Sequence, residues 1–233
     1  MLYDLVTDVR TSPSTRRAIL QQADSLLDVF GTKEGIDFLL PLVISFLNDR
    51  DWEVRLSFLE AVKVTNERER AAAATITPTP ESLDNQPTNH AHCDANCLQQ
   101  THLVTRIQAT VVEEFLLPCV EQALSDPVES VVIYSILSLT KMAQMNKLKP
   151  QTLISTVKKG IALLCHPSSA IRRAYVHLVV TAAKSLDPIR VLVSLMRVLK
   201  PVTAVYPVDM STPESFARCL RSPLSQVREG GWR

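Results

Sequence analysis

The feature that most constrains the fold is a 24-residue pattern: three segments of this length superpose on one another without gaps. Its copies are Leu39–Val62, Leu116–Leu139 and Thr156–Val179. In each copy, two helical patterns with apolar residues three and four positions apart flank a short polar turn. The turns contain Asn, Asp, Ser and Pro, residues that form turns or begin helices. A single amphipathic helix pair cannot bury its apolar stripe in water, so the repetition predicts that successive pairs stack.

The period of the repeat indicates the class of helical stack. Leu124 and Leu164 occupy the same position in neighbouring copies and lie 40 residues apart, a spacing typical of HEAT and armadillo units. We therefore predict an all-α fold, a HEAT/armadillo-like α-solenoid of stacked antiparallel helix pairs without a sheet. The predicted inward positions of the first helices are Leu40, Val43, Phe46, Leu47, Leu117, Val120, Ala123, Leu124, Val157, Leu163 and Leu164. Those of the second helices are Val54, Phe58, Ala61, Val62, Val131, Ser135, Ser138, Leu139, Ile171, Tyr175, Leu178 and Val179. An earlier helix repeats the spacing at Ile19, Ala23, Leu26, Leu27 and Phe30, with Gly31 as its C-terminal cap.

The same pattern divides the chain into four parts. Residues 1–66 and 103–200 carry the HEAT-like helices. Residues 67–102 are polar and contain almost no large apolar side chains, which predicts an insertion that is mostly disordered. Residues 201–233 form a tail interrupted by prolines, with one short helix predicted from Pro213 to Leu220.

Composition argues against several broad classes of protein. Lys and Arg (25) nearly balance Asp and Glu (24), so a net charge of +1 offers no general attraction to nucleic acid or to anionic membranes. Only 5 residues are Gly, which disfavours Gly-rich phosphate loops and hairpin-rich sheets. The longest apolar stretches, such as 36–47, are too short to cross a bilayer. Five cysteines without a signal sequence predict a reducing, cytoplasmic location.

The insertion holds a candidate metal site, formed by His90, His92, Cys93, Cys97 and His102. Cys93 and Cys97 would share one face of a helix, and a neighbouring His could complete a tetrahedral zinc site. No second Cys pair follows and the flanks are low in complexity, so we favour an unstructured polar loop and assign no metal ligand. The alternative is a small metal-dependent enzyme built on this segment.

Two arginines occupy equivalent positions at the start of the second helices. Arg55 and Arg172 each follow an aliphatic residue that is predicted to be buried. We favour a structural ladder, in which these arginines pair with acidic turn residues such as Asp49 or Asp51, over an anion-binding site. A small basic patch could also form from Lys158, Lys159, Arg172 and Arg173, although a solvated face is the favoured interpretation.

The sequence contains no recognisable catalytic machinery. A Gly-x-Ser-x-Gly elbow, a Gly-rich kinase loop, a His-Arg-Asp loop and an Asp-Phe-Gly motif are all missing. Cys119, Cys165 and Cys219 lie in helical or apolar contexts that favour packing, and His166 and His177 have no evident partner. We therefore predict a non-enzymatic chain without catalytic or cofactor-binding residues. Its partner-binding residues are not assigned.

Four stretches resemble one known family. VFGTKEGIDFLLPLVISFLNDRDWEVR, residues 29–55, is similar to the HEAT region of the regulatory subunit of the class III phosphatidylinositol 3-kinase complex, a vacuolar-sorting protein-kinase-like scaffold. Further matches follow in the same order: LPCVEQALSDPVESVVIYSILSLTKMAQMNKLKP, IALLCHPSSAIRRAYVHLVVTAAKSL and SFARCLRS. The most specific markers are Phe-Leu-Asn-Asp followed by Asp51-Trp52, and Leu-Cys-His-Pro at residues 164–167.

The resemblance implies membership of a complex. In that family the regulatory subunit has an N-terminal kinase-like domain, a HEAT middle and a C-terminal β-propeller. It anchors the lipid kinase catalytic subunit and autophagy or endosomal partner subunits on membranes, which implies a place at the periphery of endosomal and autophagic membranes. The chain corresponds to the middle alone, so we expect a fragment or an incomplete gene model without kinase activity. The insertion departs from the family, whose connection there is shorter.

The leading hypothesis is a non-catalytic scaffold segment that supports assembly of such a complex in autophagy and endosomal or vacuolar sorting. The alternative is a generic HEAT-repeat adaptor of a transport or phosphatase complex. Under both hypotheses, Asp in place of Leu124 or Leu164 should disrupt the stack, because these leucines are predicted to face inward and a buried unpaired carboxylate is costly.

Overall fold

The computed structural model describes residues 11–22, positions 25, 26, 29, 37 and 40–42, residues 44–62 and residues 108–221. Within these ranges all regular secondary structure is helical and no strand forms. An isolated antiparallel bridge joins Thr203 to Leu220. The predicted all-α, solenoid-like architecture is confirmed. The insertion predicted at 67–102 lies entirely outside the described residues.

In the described part of the chain, eight helices have defined bounds. They are α1 (Pro13–Gln21), α2 (Trp52–Val62), α3 (Ala109–Val111, a π-helical turn Val112–Leu116, and Leu117–Ala123), α4 (Glu129–Gln144), α5 (Pro150–Lys159), α6 (Ser169–Ser185), α7 (Pro188–Arg190, a π-helical turn Val191–Leu195, and Met196–Leu199) and α8 (Pro213–Cys219). Two 3-10 turns, Phe46–Asn48 and Ile161–Cys165, precede α2 and α6.

Proline begins several helices in the described part of the chain. Pro13, Pro150, Pro188 and Pro213 each stand in the first turn of a helix, where the missing N–H has no intrahelical partner to lose. Side-chain caps reinforce three of these starts. The Ser12, Asp187 and Thr212 oxygens accept hydrogen bonds from backbone N–H groups three residues later. The start of α8 is therefore encoded locally, at the proline where the sequence predicts a short helix to begin.

Helices α1, α2, α4, α6 and α8 lie side by side in chain order and contribute to the core. α1 packs against α2, α2 against α4, α4 against α6, and α6 against α8. The predicted inward residues of these helices are buried, among them Val54, Phe58, Val62, Val131, Leu139, Ile171, Leu178 and Val179. Ser135 and Ser138 are buried too, and their hydroxyls donate to the carbonyls of Val131 and Tyr134. Hydroxyl groups at inward positions are thus satisfied within their own helix.

The inward stripe is narrower in places than the sequence predicted. Leu47, Ala61, Leu124 and Leu163 pack against the core but remain partly accessible. The side chain of Val43 and four positions of the early helix (Ala23, Leu27, Phe30 and Gly31) lie outside the described residues. The positions at the edge of each stripe therefore contribute less burial than those at its centre.

Candidate docking surfaces

A ladder of arginine–aspartate pairs joins successive repeats. Arg16 Nε lies 2.7 Å from Asp49 Oδ2, an ion pair without hydrogen-bond alignment, and Arg16 Nη2 donates to Asp49 Oδ1 at 3.2 Å. Arg55 donates from Nε and Nη2 to the two carboxylate oxygens of Asp126, at 2.7 and 3.0 Å. Each arginine lies near the start of a core helix, α1 or α2, and each aspartate lies in the turn before the next core helix, α2 or α4. The pairs therefore fix the offset between neighbouring repeats.

The arginines also close the turns before their own helices. Arg55 Nη1 donates to the carbonyl oxygens of Asp49 and Arg50, and Arg16 Nη1 donates to that of Thr11. The ladder interpretation holds for Arg55, but its predicted partners, Asp49 or Asp51, are wrong. Asp126 of the next repeat is the ion-pair partner, because the Nε–Nη2 edge of Arg55 faces along the stack.

The arginine–aspartate ladder does not continue into the next repeat, where both residues of the pair are replaced. Val132 stands at the position of Arg55, and His166 stands at the position of Asp126. His166 Nδ1 accepts a hydrogen bond from the backbone N–H of Ser168 at 3.1 Å, which replaces the bond from the Val128 N–H to Asp126 Oδ1. His166 thus keeps the turn closed without the carboxylate that an arginine at position 132 would have needed.

Arg172 keeps half of the ladder geometry. Its Nη1 donates to the carbonyl oxygens of His166 and Pro167, both at 2.6 Å, in the same way as Arg55 Nη1. Within the described residues no carboxylate pairs with its Nε–Nη2 edge. The pairing predicted for Arg172 is therefore wrong for this part of the chain.

Replacing Arg55 by Gln tests the contribution of the ladder. We expect a loss of about 2–3 kcal/mol in the free energy of unfolding, because the nearly buried Asp126 carboxylate would lose a bidentate charged partner. That loss corresponds to a melting temperature roughly 5–10 °C lower, measurable by circular dichroism. Arg17→Gln is the matched control, since the Arg17–Glu53 pair is solvent-exposed and should contribute less than about 1 kcal/mol. Equal losses in both variants would contradict the ladder.

A groove lies between α6 and α8, and we call it the α6–α8 groove. It has a volume of about 500 Å³ and an apolar floor that includes Leu164, Val176 and Ala217. Arg172, Arg173 and Arg221 line it as well. Lys158 and Lys159 are not part of this lining, and Lys159 pairs instead with Glu121. The basic patch suggested by the sequence is thus divided, and its arginine half faces the groove.

His177 also lines the groove and provides a pH test of the fold. Partial burial lowers its pKa below the usual 6.5, Glu214 opposes that shift, and Lys184 adds to it. Because the unfolded chain then binds a proton more readily, the free energy of unfolding should fall as the pH drops below about 6.5. His177→Gln should flatten this dependence between about pH 7 and pH 5 in urea titrations. Identical slopes for the two proteins would contradict the assignment.

A second surface is apolar and exposed. Ile189, Leu192 and Val193 of α7, with Val205 and Tyr206 from the following loop, are mostly accessible. Four of these residues (Leu192, Val193, Val205 and Tyr206) border one open cavity together with Arg197 and Lys200. We call this set the α7 apolar surface. Exposed apolar patches of this kind commonly mark protein–protein contacts.

The remaining sequence candidates do not form a reactive site. His90, His92, Cys93, Cys97 and His102 lie outside the described residues. In the described ranges no group of three or more His, Cys, Asp or Glu side chains could hold a metal ion. Nor does any helix there have the length and apolarity needed to cross a membrane.

The cysteines differ in their surroundings. Cys219 is buried and Cys119 is partly buried, as packing predicts, but Cys165 is exposed, so the packing interpretation is wrong for it. Burial raises the pKa of the Cys119 thiol, the opposite of what a nucleophilic thiolate needs.

Comparison with known proteins assigns the chain to a family. The chain matches the family model described as "PIK3R4-like, middle domain" over residues 1–78 and 97–228. It is 27% identical over 188 residues to "Probable serine/threonine-protein kinase vps15" of Dictyostelium discoideum, which covers 79% of the chain and 8% of that protein. It is 25% identical over 226 residues to "Serine/threonine-protein kinase VPS15" of Arabidopsis thaliana, which covers 97% of the chain and 13% of that protein.

The extent of these matches determines what they mean for the chain. The chain spans only 8% to 13% of the length of the two relatives. The matched region is a middle domain rather than the kinase domain to which the names of these relatives refer. The chain is therefore not the catalytic part of such a protein. Because the family match covers both helical regions, the chain belongs to the PIK3R4-like middle-domain family, the middle region of the regulatory subunit of the class III phosphatidylinositol 3-kinase complex.

Proposed function

We propose that this chain is a non-catalytic scaffold segment that holds the subunits of a class III phosphatidylinositol 3-kinase complex at a fixed separation. The observation that carries the proposal is the family match, which covers both helical regions of the chain. The mechanism is geometric. Stacked helix pairs transmit a fixed spacing along their length, and partners contact the exposed faces.

The contacts between repeats support a rigid spacer. The Arg16–Asp49 and Arg55–Asp126 pairs connect successive turns. Between the first helices of two successive pairs, Glu121 of α3 accepts a hydrogen bond from Thr156 of α5 at 2.7 Å. Polar contacts thus join both the second helices and the first helices of neighbouring pairs, which limits sliding between them.

The partners and the location follow from the same proposal. We infer that the full-length parent binds the lipid kinase catalytic subunit together with autophagy or endosomal subunits. Its place is then at the periphery of endosomal or autophagic membranes, reached through the complex. The isolated chain should show no phosphotransfer with ATP and magnesium.

A pull-down with the tagged full-length parent tests the proposal. We expect recovery of a class III phosphatidylinositol 3-kinase catalytic subunit from cell extract. Leu139→Asp, which places a carboxylate in the core of the stack, should reduce that recovery, and Lys158→Ala at an exposed position should leave it unchanged. Recovery of nuclear-transport or phosphatase subunits without a lipid kinase would favour the generic adaptor instead.

A further inference from the structure

The α6–α8 groove combines an apolar floor with an excess of positive charge. Three guanidinium groups, those of Arg172, Arg173 and Arg221, line it against the single carboxylate of Glu214. Arg173 Nε donates to the carbonyl of Ser169 at 3.4 Å, and Arg221 Nε donates to a backbone carbonyl of the loop before α8 at 3.1 Å. Within the described residues none of the three arginines forms an ion pair with a carboxylate. The groove is thus complementary to a negatively charged ligand.

Arg172 defines which negative group fits best. Its Nη1 is held by two carbonyls, so the orientation of its guanidinium is already fixed. Arg55, held in the same way, binds both oxygens of Asp126 through Nε and Nη2. A planar guanidinium with a fixed orientation matches the two oxygens of a carboxylate. The ladder itself therefore shows which ligand the free edge of Arg172 would bind.

Asp209, which precedes α8 in the chain, is the candidate within the described residues for a carboxylate partner of the Nε–Nη2 edge of Arg172. Asp209 Oδ1 accepts the backbone N–H of Ser211 at 2.9 Å, as Asp126 Oδ1 accepts that of Val128. Asp209 nevertheless forms no ion pair with Arg172 within the described structure. The backbone contacts of residues 203 and 204 with residues 219 and 220 instead tie the loop to the end of α8.

We propose that the α6–α8 groove binds an acidic segment of a partner protein, with an aspartate on the Nε–Nη2 edge of Arg172 and apolar neighbours on the floor. Arg173 and Arg221 add attraction for further acidic residues. A peptide fits this concave, partly apolar site because it supplies a carboxylate and apolar side chains together. The inference concerns a binding surface and stands independently of the lipid-kinase assignment.

The ladder supplies a probe for the experiment. The octapeptide Leu-Ser-Asp-Pro-Val-Glu-Ser-Val has the sequence of residues 124–131, which contain the aspartate that Arg55 binds. We expect saturable binding of the fluorescein-labelled peptide to the whole chain by fluorescence anisotropy at low salt. Asn in place of the peptide aspartate, or Arg172→Gln in the protein, should weaken binding about tenfold, because each removes a bidentate charged hydrogen bond.

Two further variants keep the result interpretable. Arg218→Gln removes the same charge from an exposed position of α8 outside the groove and should not change binding. Arg172→Gln could also loosen the turn that it closes, so the double variant Arg173→Gln/Arg221→Gln repeats the test with arginines that lack this role. It too should weaken binding about tenfold relative to Arg218→Gln.

Several results would overturn the proposal. One is equal binding of the aspartate and asparagine peptides, and another is an equal loss in the Arg218→Gln variant. A third is binding of inorganic phosphate or phosphatidylserine vesicles that depends on Arg172 while the peptide does not bind. A fourth is a loss of stability on Asp209→Asn as large as that on Asp126→Asn, which would make Asp209 the partner of Arg172.

Discussion

Replacing Leu139 by Asp is expected to abolish the cooperative thermal unfolding of this chain. Leu139 has 0% of its surface exposed and lies on α4, between α2 and α6. Removing a core leucine costs about 2–5 kcal/mol by itself, and burying an unpaired carboxyl group adds several more. The total approaches the whole stability of a typical domain, about 5–15 kcal/mol. Circular dichroism at 222 nm during heating would show a broad, low transition in place of a sigmoidal one.

The matched control is the same substitution at an exposed leucine. Leu192 of α7 is 64% exposed, so Leu192→Asp should change the free energy of unfolding by less than about 1 kcal/mol. A sigmoidal transition at the original temperature for Leu139→Asp would show that α4 does not lie in the core.

The leucines that the sequence singled out are weaker tests of the same idea. Leu124 is only partly buried, so an aspartate there would keep contact with water. Leu164 is buried but borders the α6–α8 groove, where Arg172 and Arg173 could pair with a new carboxylate. We expect both substitutions to destabilise the chain less than Leu139→Asp does.

The apolar periodicity was sufficient to predict the buried faces of the second helices α2, α4 and α6. A helix has one period, so the repeat of apolar residues identifies the inward face wherever the stripe is continuous. Val54, Phe58, Val131 and Ile171 were placed inward by this rule alone, and all are buried. The rule fails after Leu199, where the contacts of the loop with the end of α8 are backbone hydrogen bonds that leave no side-chain pattern.

The ladder was only half predictable. The equivalence of Arg55 and Arg172 is visible in the repeat, but the direction of each ion pair depends on how far one repeat is displaced from the next. The predicted partners of Arg55, Asp49 or Asp51, lie in its own turn, while the structure places Asp126 beside it. A usable signal was present, since Asp49 and Asp126 occupy the same turn position. Arg16 lies 39 residues before Arg55, close to one repeat period.

The docking surfaces could not be predicted, for a different reason. The α6–α8 groove brings together residues from Leu164 to Arg221, and its shape depends on the packing of α8 against α6. The exposure of Leu192 and Val193 also depends on what covers α7, which periodicity does not determine. Surfaces made by several elements therefore require the three-dimensional arrangement.

Replacing Gly160 by Ala, which adds a single methyl group, is expected to cause a large loss in the free energy of unfolding. A Cβ atom at this position would lie 2.6 Å from Tyr175 Oη and 2.8 Å from Tyr175 Cε2, far inside van der Waals contact. Tyr175 is fully buried, and its hydroxyl donates to the carbonyl of Val157 at 2.8 Å in the last turn of α5, where carbonyls lack helical partners. The preceding repeat has Val120 and Ser135 in place of Gly160 and Tyr175, so the larger residue of the two is on the first helix there and on the second helix here.

Gly160→Ala should therefore lower the free energy of unfolding by about 2–4 kcal/mol, the combined effect of overpacking and of a lost buried hydrogen bond. Urea titration followed by circular dichroism measures this loss, and Lys158→Ala, an exposed change in the same turn, should have almost no effect. The decisive comparison is a double-mutant cycle with Tyr175→Leu, which removes the ring that the new methyl group would strike. In that background Gly160→Ala should cost much less, giving an interaction energy of about 1–3 kcal/mol between the two sites. Additive effects would mean that Tyr175 does not fill the space beside Gly160.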